Sequence, residues 1–259
     1  MRPPTKSVLV LPIALLLGAC GGEGSESAAP VPQPTAADIT LLFMGNSHSS
    51  FNNLQAMVAA MVSAAHPGES VAAVPAPGSM FLEERLSDFE SVNLLRNQDW
   101  SFVILQAQKY STSGNFTYST EEAEQFIRLA RESNAVPILF PEWPRRGIAE
   151  TQRIYDLHVS IAQMEPACVA PIGQAWDLAL ARHPTLVLHD ADGNHSNAAG
   201  AFLAALMLAT TISGVSPLDV PALPQFPVDL HTQTLLRAVA HDTTQTWPPR
   251  AWCPSDPFA

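Results

Sequence analysis

From residue 38 onward, short apolar runs alternate with stretches whose apolar residues recur every three or four positions, and this constrains the fold more than any other feature. The runs Ile39–Met44, Val71–Pro75, Ser101–Gln106, Val136–Phe140 and Cys168–Pro171 have the length and composition of buried strands. Between them lie helical patterns at Asn53–His66, Met80–Asn97, Glu121–Ser133, Ala149–Gln163 and Gly173–Arg182. Leu54, Met57, Val58, Met61 and Val62 mark one face of the first; Phe126, Ile127, Leu129 and Ala130 mark the buried face of the third. Strictly alternating strands and helices build a parallel sheet with crossover helices. The expectation is an α/β fold, a three-layer α/β/α sandwich on a five-stranded parallel sheet. A last long helix, Ser196–Ser213, is apolar almost all round, which fits burial, and Gly214 and Pro217 stop it. The domain is expected to span residues 38–217. A proline-rich extension, 218–259, would pack on it with one helix around Thr232–His241.

The N-terminus reads as an address. Arg2 and Lys6 precede an apolar stretch from Val8 to Leu17, too short to span a bilayer and interrupted by Pro12. It ends in Leu17-Gly18-Ala19-Cys20, which resembles a bacterial lipobox. The reading is a lipoprotein signal peptide over 1–19, lipidation at Cys20 and a flexible Gly/Ser- then Pro/Ala-rich tether over 20–37. That places the protein outside the cytoplasm, anchored to the cell envelope, with Gly21 after the cysteine pointing to the outer membrane. Cys168 and Cys253 then remain as an even pair in an oxidising compartment. A disulfide between them and two separate thiols are both open. The formal charge of −11 leaves no basic surface for a nucleic-acid partner.

In a doubly wound sheet, ligands bind beyond the carboxyl ends of the strands. Ser47 follows the first strand, Gly78 the second, and Gln106 ends the third. Asp192 and His195 fall in the last loop, just before the final helix. Ser49 and Ser50 are local rivals to Ser47, but only Ser47 stands directly after Gly45-Asn46 at the strand end. A serine hydroxyl is a weak nucleophile until a base takes its proton, and that base needs a third group to fix its tautomer. His195 is the natural base and Asp192 its orienting acid. The other readings are a turn at Asp192-Gly193-Asn194 with no further role, and a metal cluster at His189–His195 that lacks a second group of ligands.

These segments resemble the SGNH (GDSL-like) hydrolase superfamily. Its first block appears as Gly45-Asn46-Ser47 in place of Gly-Asp-Ser, and its second as Gly78 in Ala76-Pro77-Gly78-Ser79. Its last appears as Asp192-Gly193-Asn194-His195-Ser196, with Ala198-Ala199-Gly200 continuing into the helix. The third block departs: Val103-Ile104-Leu105-Gln106-Ala107-Gln108 stands where the family usually has Gly-x-Asn-Asp. The resemblance implies a serine esterase acting on O-acyl or O-acetyl esters, including esters on carbohydrate, through Ser47, His195 and Asp192 and with no cofactor. It further implies an oxyanion hole formed by the N–H groups of Ser47 and Gly78 and the side-chain amide of Gln106. His48 would contact substrate from the rim; Trp143, after the fourth strand, either contacts substrate there or packs its own loop, and Arg145 and Arg146 either meet an anionic group or are ordinary exposed charge. The altered third block keeps open a second reading, a glycan-binding surface lipoprotein on an inactive scaffold of the same kind.

Overall fold

The structure, a computed structural model, describes residues 36–254. The signal segment 1–19, Cys20 and the tether up to residue 35 lie outside the described residues. β1 (Ile39–Met44) runs into a four-residue helix, α1 (Ser47–Ser50), and a 3-10 turn at Phe51–Asn53. Next come α2 (Leu54–Ala65) and β2 (Val71–Pro75), then α3 (Leu82–Ser87), α4 (Phe89–Arg96) and β3 (Phe102–Leu105). They are followed by α5 (Glu121–Glu132), β4 (Val136–Leu139), α6 (Thr151–Met164), β5 (Cys168–Val169) and α7 (Ile172–Arg182). α8 (Ala198–Ser213) and α9 (Leu230–Thr246) close the described chain.

All strand pairs are parallel, in the order β2-β1-β3-β4-β5. Successive side chains of a strand point to opposite faces, and β1 shows the consequence. Ile39, Leu41 and Phe43 join a core built with α2, α7, α8 and α9. Leu42 and Met44 join a second core with residues of α3, α4, α5 and α6. Helices thus cover both faces of the sheet. Each large apolar side chain so buried contributes about 1.5–3 kcal/mol relative to exposure. β2 and β3 lie on opposite sides of β1, so the chain leaves β1 in one direction and later returns in the other. The crevice this reversal opens lies at the carboxyl end of β1, where Gly45-Asn46-Ser47 stands.

Four local differences from the sequence reading have physical causes. The helix expected over Met80–Asn97 is broken at Asp88, whose backbone is extended and whose side chain accepts from Ser91 N–H to cap α4. The last strand is cut to Cys168–Val169, with Pro171 already at the entry to α7. α1 was not foreseen; four residues carry no periodicity. The helix expected at Thr232–His241 runs from Leu230 to Thr246, capped by Asp229, and buries Leu236, Val239 and Ala240 in the core shared with α7 and α8. The C-terminal segment therefore supplies core as well as covering it. A disulfide joins Cys168, in β5, to Cys253, across 85 residues of chain.

α8 is buried at every position from Gly200 to Ser213. Its first turn sits so tightly that a Cβ at Gly200 would lie 2.3 Å from the carbonyl oxygen of Leu188 and 2.6 Å from the Trp176 ring. This close approach brings the loop before α8 onto the carboxyl ends of the strands. Among the described residues, no helix is long and apolar enough to cross a membrane.

Candidate active site

The serine turn is held from below. Asn46 caps α1, its Oδ1 accepting from His48 N–H at 3.1 Å, and its own N–H donates to Gln106 Oε1 at 2.8 Å. Ser49 donates twice to the carbonyl of Asn46, through its N–H and its Oγ. Gly45 is obligatory beside this arrangement, because a Cβ there would meet Gln106 Oε1 at 2.4 Å. Ser47 is the first residue of α1. Its N–H therefore has no intrahelical acceptor, and none is found among the other described residues.

Ser47 Oγ lies 2.8 Å from His195 Nε2, and His195 Nδ1 lies 2.5 Å from Asp192 Oδ2. The second contact settles the tautomer. A carboxylate only accepts, so Nδ1 carries the proton and Nε2 presents its lone pair to the serine hydroxyl. Asp192 Oδ1 accepts from the N–H groups of Asn194 and His195, each at 2.9 Å. Those bonds, with the Asn194 N–H first and the His195 side chain next, hold the Asp192 carboxyl well below the usual carboxylate range. Its charge is secure at neutral pH although its side chain is 48% exposed.

The loop carrying this pair is tied at several points. Gly193 adopts a left-handed backbone (φ 70°), and its carbonyl accepts from Arg146 N–H. Trp143 Nε1 donates to the Asn194 carbonyl at 2.8 Å, and Asn52 Nδ2 donates to that of Ser196 at 2.6 Å. Phe51 stacks on the His195 ring, with centroids 4.1 Å apart and planes 14° apart. The imidazole is thus fixed by its acid at one edge and by an aromatic face.

Arg85 organises the other side. Its guanidinium is 1% exposed. Nη2 donates to the carbonyls of Gly45 and Gly78, while Nη1 donates to the Pro77 carbonyl and Ser91 Oγ, both at 2.9 Å. One nitrogen thereby binds the loop after β1 to the loop after β2. Met80 N–H adds a bond to the Gly45 carbonyl. Gly78 has φ +73°, where a side chain would be strained, and a Cβ would also meet Met80 at 2.8 Å. With its carbonyl turned to Arg85, its N–H has no acceptor among the described residues.

The structure thus brings Ser47, His195 and Asp192 into one hydrogen-bonded line, with Gly78 on the adjoining loop. Two expectations need correction. Gln106 is not available as an oxyanion donor: it is fully buried, its Oε1 receives Asn46 N–H, and its Nε2 donates to Glu142 Oε2 at 3.0 Å. Its amide shapes the serine turn from beneath. Trp143 does not face substrate either. It is 1% exposed and stacks on Trp176 at 4.7 Å, so its polar edge serves the Asn194 carbonyl. His48 borders the pocket beside Ser47 but is nearly buried between Trp143 and His195. Burial pulls its pKa down, and Glu142, 3.9 Å away, opposes the shift.

His189 Nε2 donates to the Pro144 carbonyl. Among the described residues, no three or more His, Cys, Asp or Glu gather as a metal site. Sequence reasoning missed Arg85, Phe51, Asn52 and Glu142. Glu142 directly precedes Trp143 at the end of the fourth strand, where a site residue is expected, but the others carry no local signal.

No family model and no curated protein matches the sequence. Among solved structures, the chain is similar to a DUF4886 family protein from Bacteroides uniformis. Identity is 15% and the TM-score 0.60, over 82% of this chain and 96% of that one. It is also similar to a protein from Slackia heliotrinireducens described as a proposed SGNH hydrolase. There identity is 24% and the TM-score 0.54, over 66% of this chain and 97% of that one. The likeness at this identity is one of fold, and it agrees with the five-stranded parallel sheet described above.

Proposed function

We propose that the protein is a serine hydrolase of the SGNH type that cleaves O-acyl and O-acetyl esters. The observation that carries this reading is the continuous line Ser47 Oγ, His195 Nε2, His195 Nδ1, Asp192 Oδ2, with contacts of 2.8 and 2.5 Å. His195 takes the serine proton as Oγ attacks the ester carbonyl, and Asp192 stabilises the imidazolium. The tetrahedral oxyanion is held by the N–H groups of Ser47 and Gly78, both without an acceptor among the described residues. Collapse expels the alcohol, which takes the proton from His195 and leaves an acyl group on Ser47. Water, deprotonated by the same histidine, then releases the acid.

The intact geometry of base and acid favours catalysis over the glycan-binding scaffold. The lipobox at Cys20 and the Cys168–Cys253 disulfide both fit an exported, lipid-anchored protein working in an oxidising compartment. The test is hydrolysis of p-nitrophenyl acetate by the purified protein and by Ser47→Ala. The mechanism requires the variant to lose nearly all of the wild-type rate, and equal rates would refute it.

A further inference from the structure

The pocket over Ser47 and His195 has a volume of about 330 Å³, and Arg145 stands on its wall with Tyr110, Tyr118 and Phe81. Arg145 is held there from inside. The carboxylate of Glu150, itself 1% exposed, accepts from Arg145 N–H at 2.9 Å and from the Tyr110 hydroxyl at 3.2 Å through the same oxygen. A buried polar group is costly unless it is hydrogen-bonded, so a Glu150 side chain placed to fix these two residues is a built feature of the wall. It sets the main chain of Arg145, an exposed residue that lines this pocket and the neighbouring cavity beside Leu188.

The neighbouring cations are engaged. Lys109 pairs with Glu83, Arg146 donates to the carbonyls of His189 and Asp190, and Arg153 donates to those of Ser111 and Thr112. The Arg145 guanidinium has no hydrogen-bond or ion-pair partner among the described residues. Glu142, the acid on the same pocket, is met by the Gln106 amide and faces His48. In a chain of net charge −11, an uncommitted arginine lining the same pocket as Ser47 is placed against the prevailing field. A guanidinium fork matches a carboxylate in two parallel bonds, and the exposed Tyr118 on the same pocket adds an apolar ring with a polar tip.

Resting on the esterase reading above, we propose that the substrate is an ester of a carboxylate-bearing sugar, such as an O-acetylated uronate, whose carboxylate is bound by Arg145. The experiment compares kcat/KM for O-acetylated glucuronate, O-acetylated glucose and the 4-nitrophenyl monoester of succinate in wild type, Arg145→Gln, Arg145→Lys and Arg96→Gln. The wild type is expected to prefer the uronate over the glucose ester. Arg145→Gln should lower that preference about tenfold to a hundredfold, as befits loss of a charged hydrogen-bonded pair, mostly through KM. Arg145→Lys should restore part of it, and Arg96→Gln, away from the pocket, should leave it intact. A preference that survives Arg145→Gln overturns the subsite while leaving the esterase reading standing. An Arg145-dependent preference for the succinate ester alone assigns the carboxylate to the acyl part and overturns the sugar. A wild type inactive on all three esters, and unlabelled at Ser47 by a fluorophosphonate, overturns both readings.

Discussion

Replacing Arg85 by methionine keeps most of the side-chain volume and removes the fork that binds the loop after β1 to the loop after β2. The carbonyls of Pro77 and Gly78 and the Ser91 Oγ lose their donor, and the Gly45 carbonyl keeps only Met80 N–H. A buried acceptor left unsatisfied costs about 1–3 kcal/mol, so the substitution should lower stability by at least about 3 kcal/mol. The catalytic effect is separate. Without Arg85 the Pro77–Gly78 peptide plane, which aims the Gly78 N–H, loses its side-chain donor, and loss of one oxyanion donor typically costs about 2.7–4 kcal/mol of transition-state stabilisation. The expected fall in kcat is about 10²–10³-fold, with KM for p-nitrophenyl acetate changed far less. The assay is steady-state hydrolysis well below each variant's measured Tm, with circular dichroism to verify folding. Arg85→Lys, which keeps the charge and loses the fork, should lie between wild type and Arg85→Met. A folded Arg85→Met with kcat within about threefold of wild type would refute the idea that this guanidinium sets the oxyanion loops.

Other outcomes follow from the same geometry. Asp192→Asn should lower kcat by about 10⁴-fold if the acid fixes the His195 tautomer as in other triads; a fall below tenfold, measured with the same ester, would show the tautomer is fixed otherwise. Cys253→Ser, or reduction of the disulfide that spans 85 residues, should cost about 2–5 kcal/mol in urea unfolding, and a thiol count on the unreduced protein should find neither Cys168 nor Cys253 free. His158 is buried with Nδ1 donating to the Ile154 carbonyl, and burial pushes its pKa from 6.5 down to about 4. The unfolded chain therefore binds the extra proton between those values: the stability contribution is full above pH 6.5 and falls, by on the order of 3 kcal/mol, as pH drops to about 4. Urea midpoints measured across that window should shift in wild type and shift less in His158→Leu; identical slopes would contradict the burial of a neutral imidazole.

The sheet was legible because its information is local. Ile39–Met44 and Val136–Leu139 announce themselves by composition and length, and the strand-end rule then places Ser47, Gly78, Asp192 and His195 on one rim without reference to any other residue. Asp192 and His195 were readable as a pair because three residues of loop bring acid and imidazole together. The failures are all long-range. Arg85 sits in Leu82-Glu83-Glu84-Arg85, which reads as a charged solvent face, and it is buried only because two loops about 7 and 40 residues away turn their carbonyls onto it. Trp143 follows a strand as a substrate platform would, yet Trp176 and the Asn194 carbonyl claim both its face and its edge. Gln106 has the right donor at the right strand end, but Glu142 takes that donor, and only the approach of the β4 and β3 loop ends decides this. Cysteine spacing leaves pairing open for the same reason; the return of the tail to β5 closes it.

The central claim is that Ser47 is a nucleophile activated by His195. Incubating the purified protein with a fluorophosphonate and mapping the adduct by peptide mass spectrometry tests it without knowledge of the natural ester. A single stoichiometric adduct on Ser47 is expected, absent in Ser47→Ala and much slower in His195→Ala. A wild type that stays unlabelled, or labelling that persists in Ser47→Ala at Ser49 or Ser50, would contradict it.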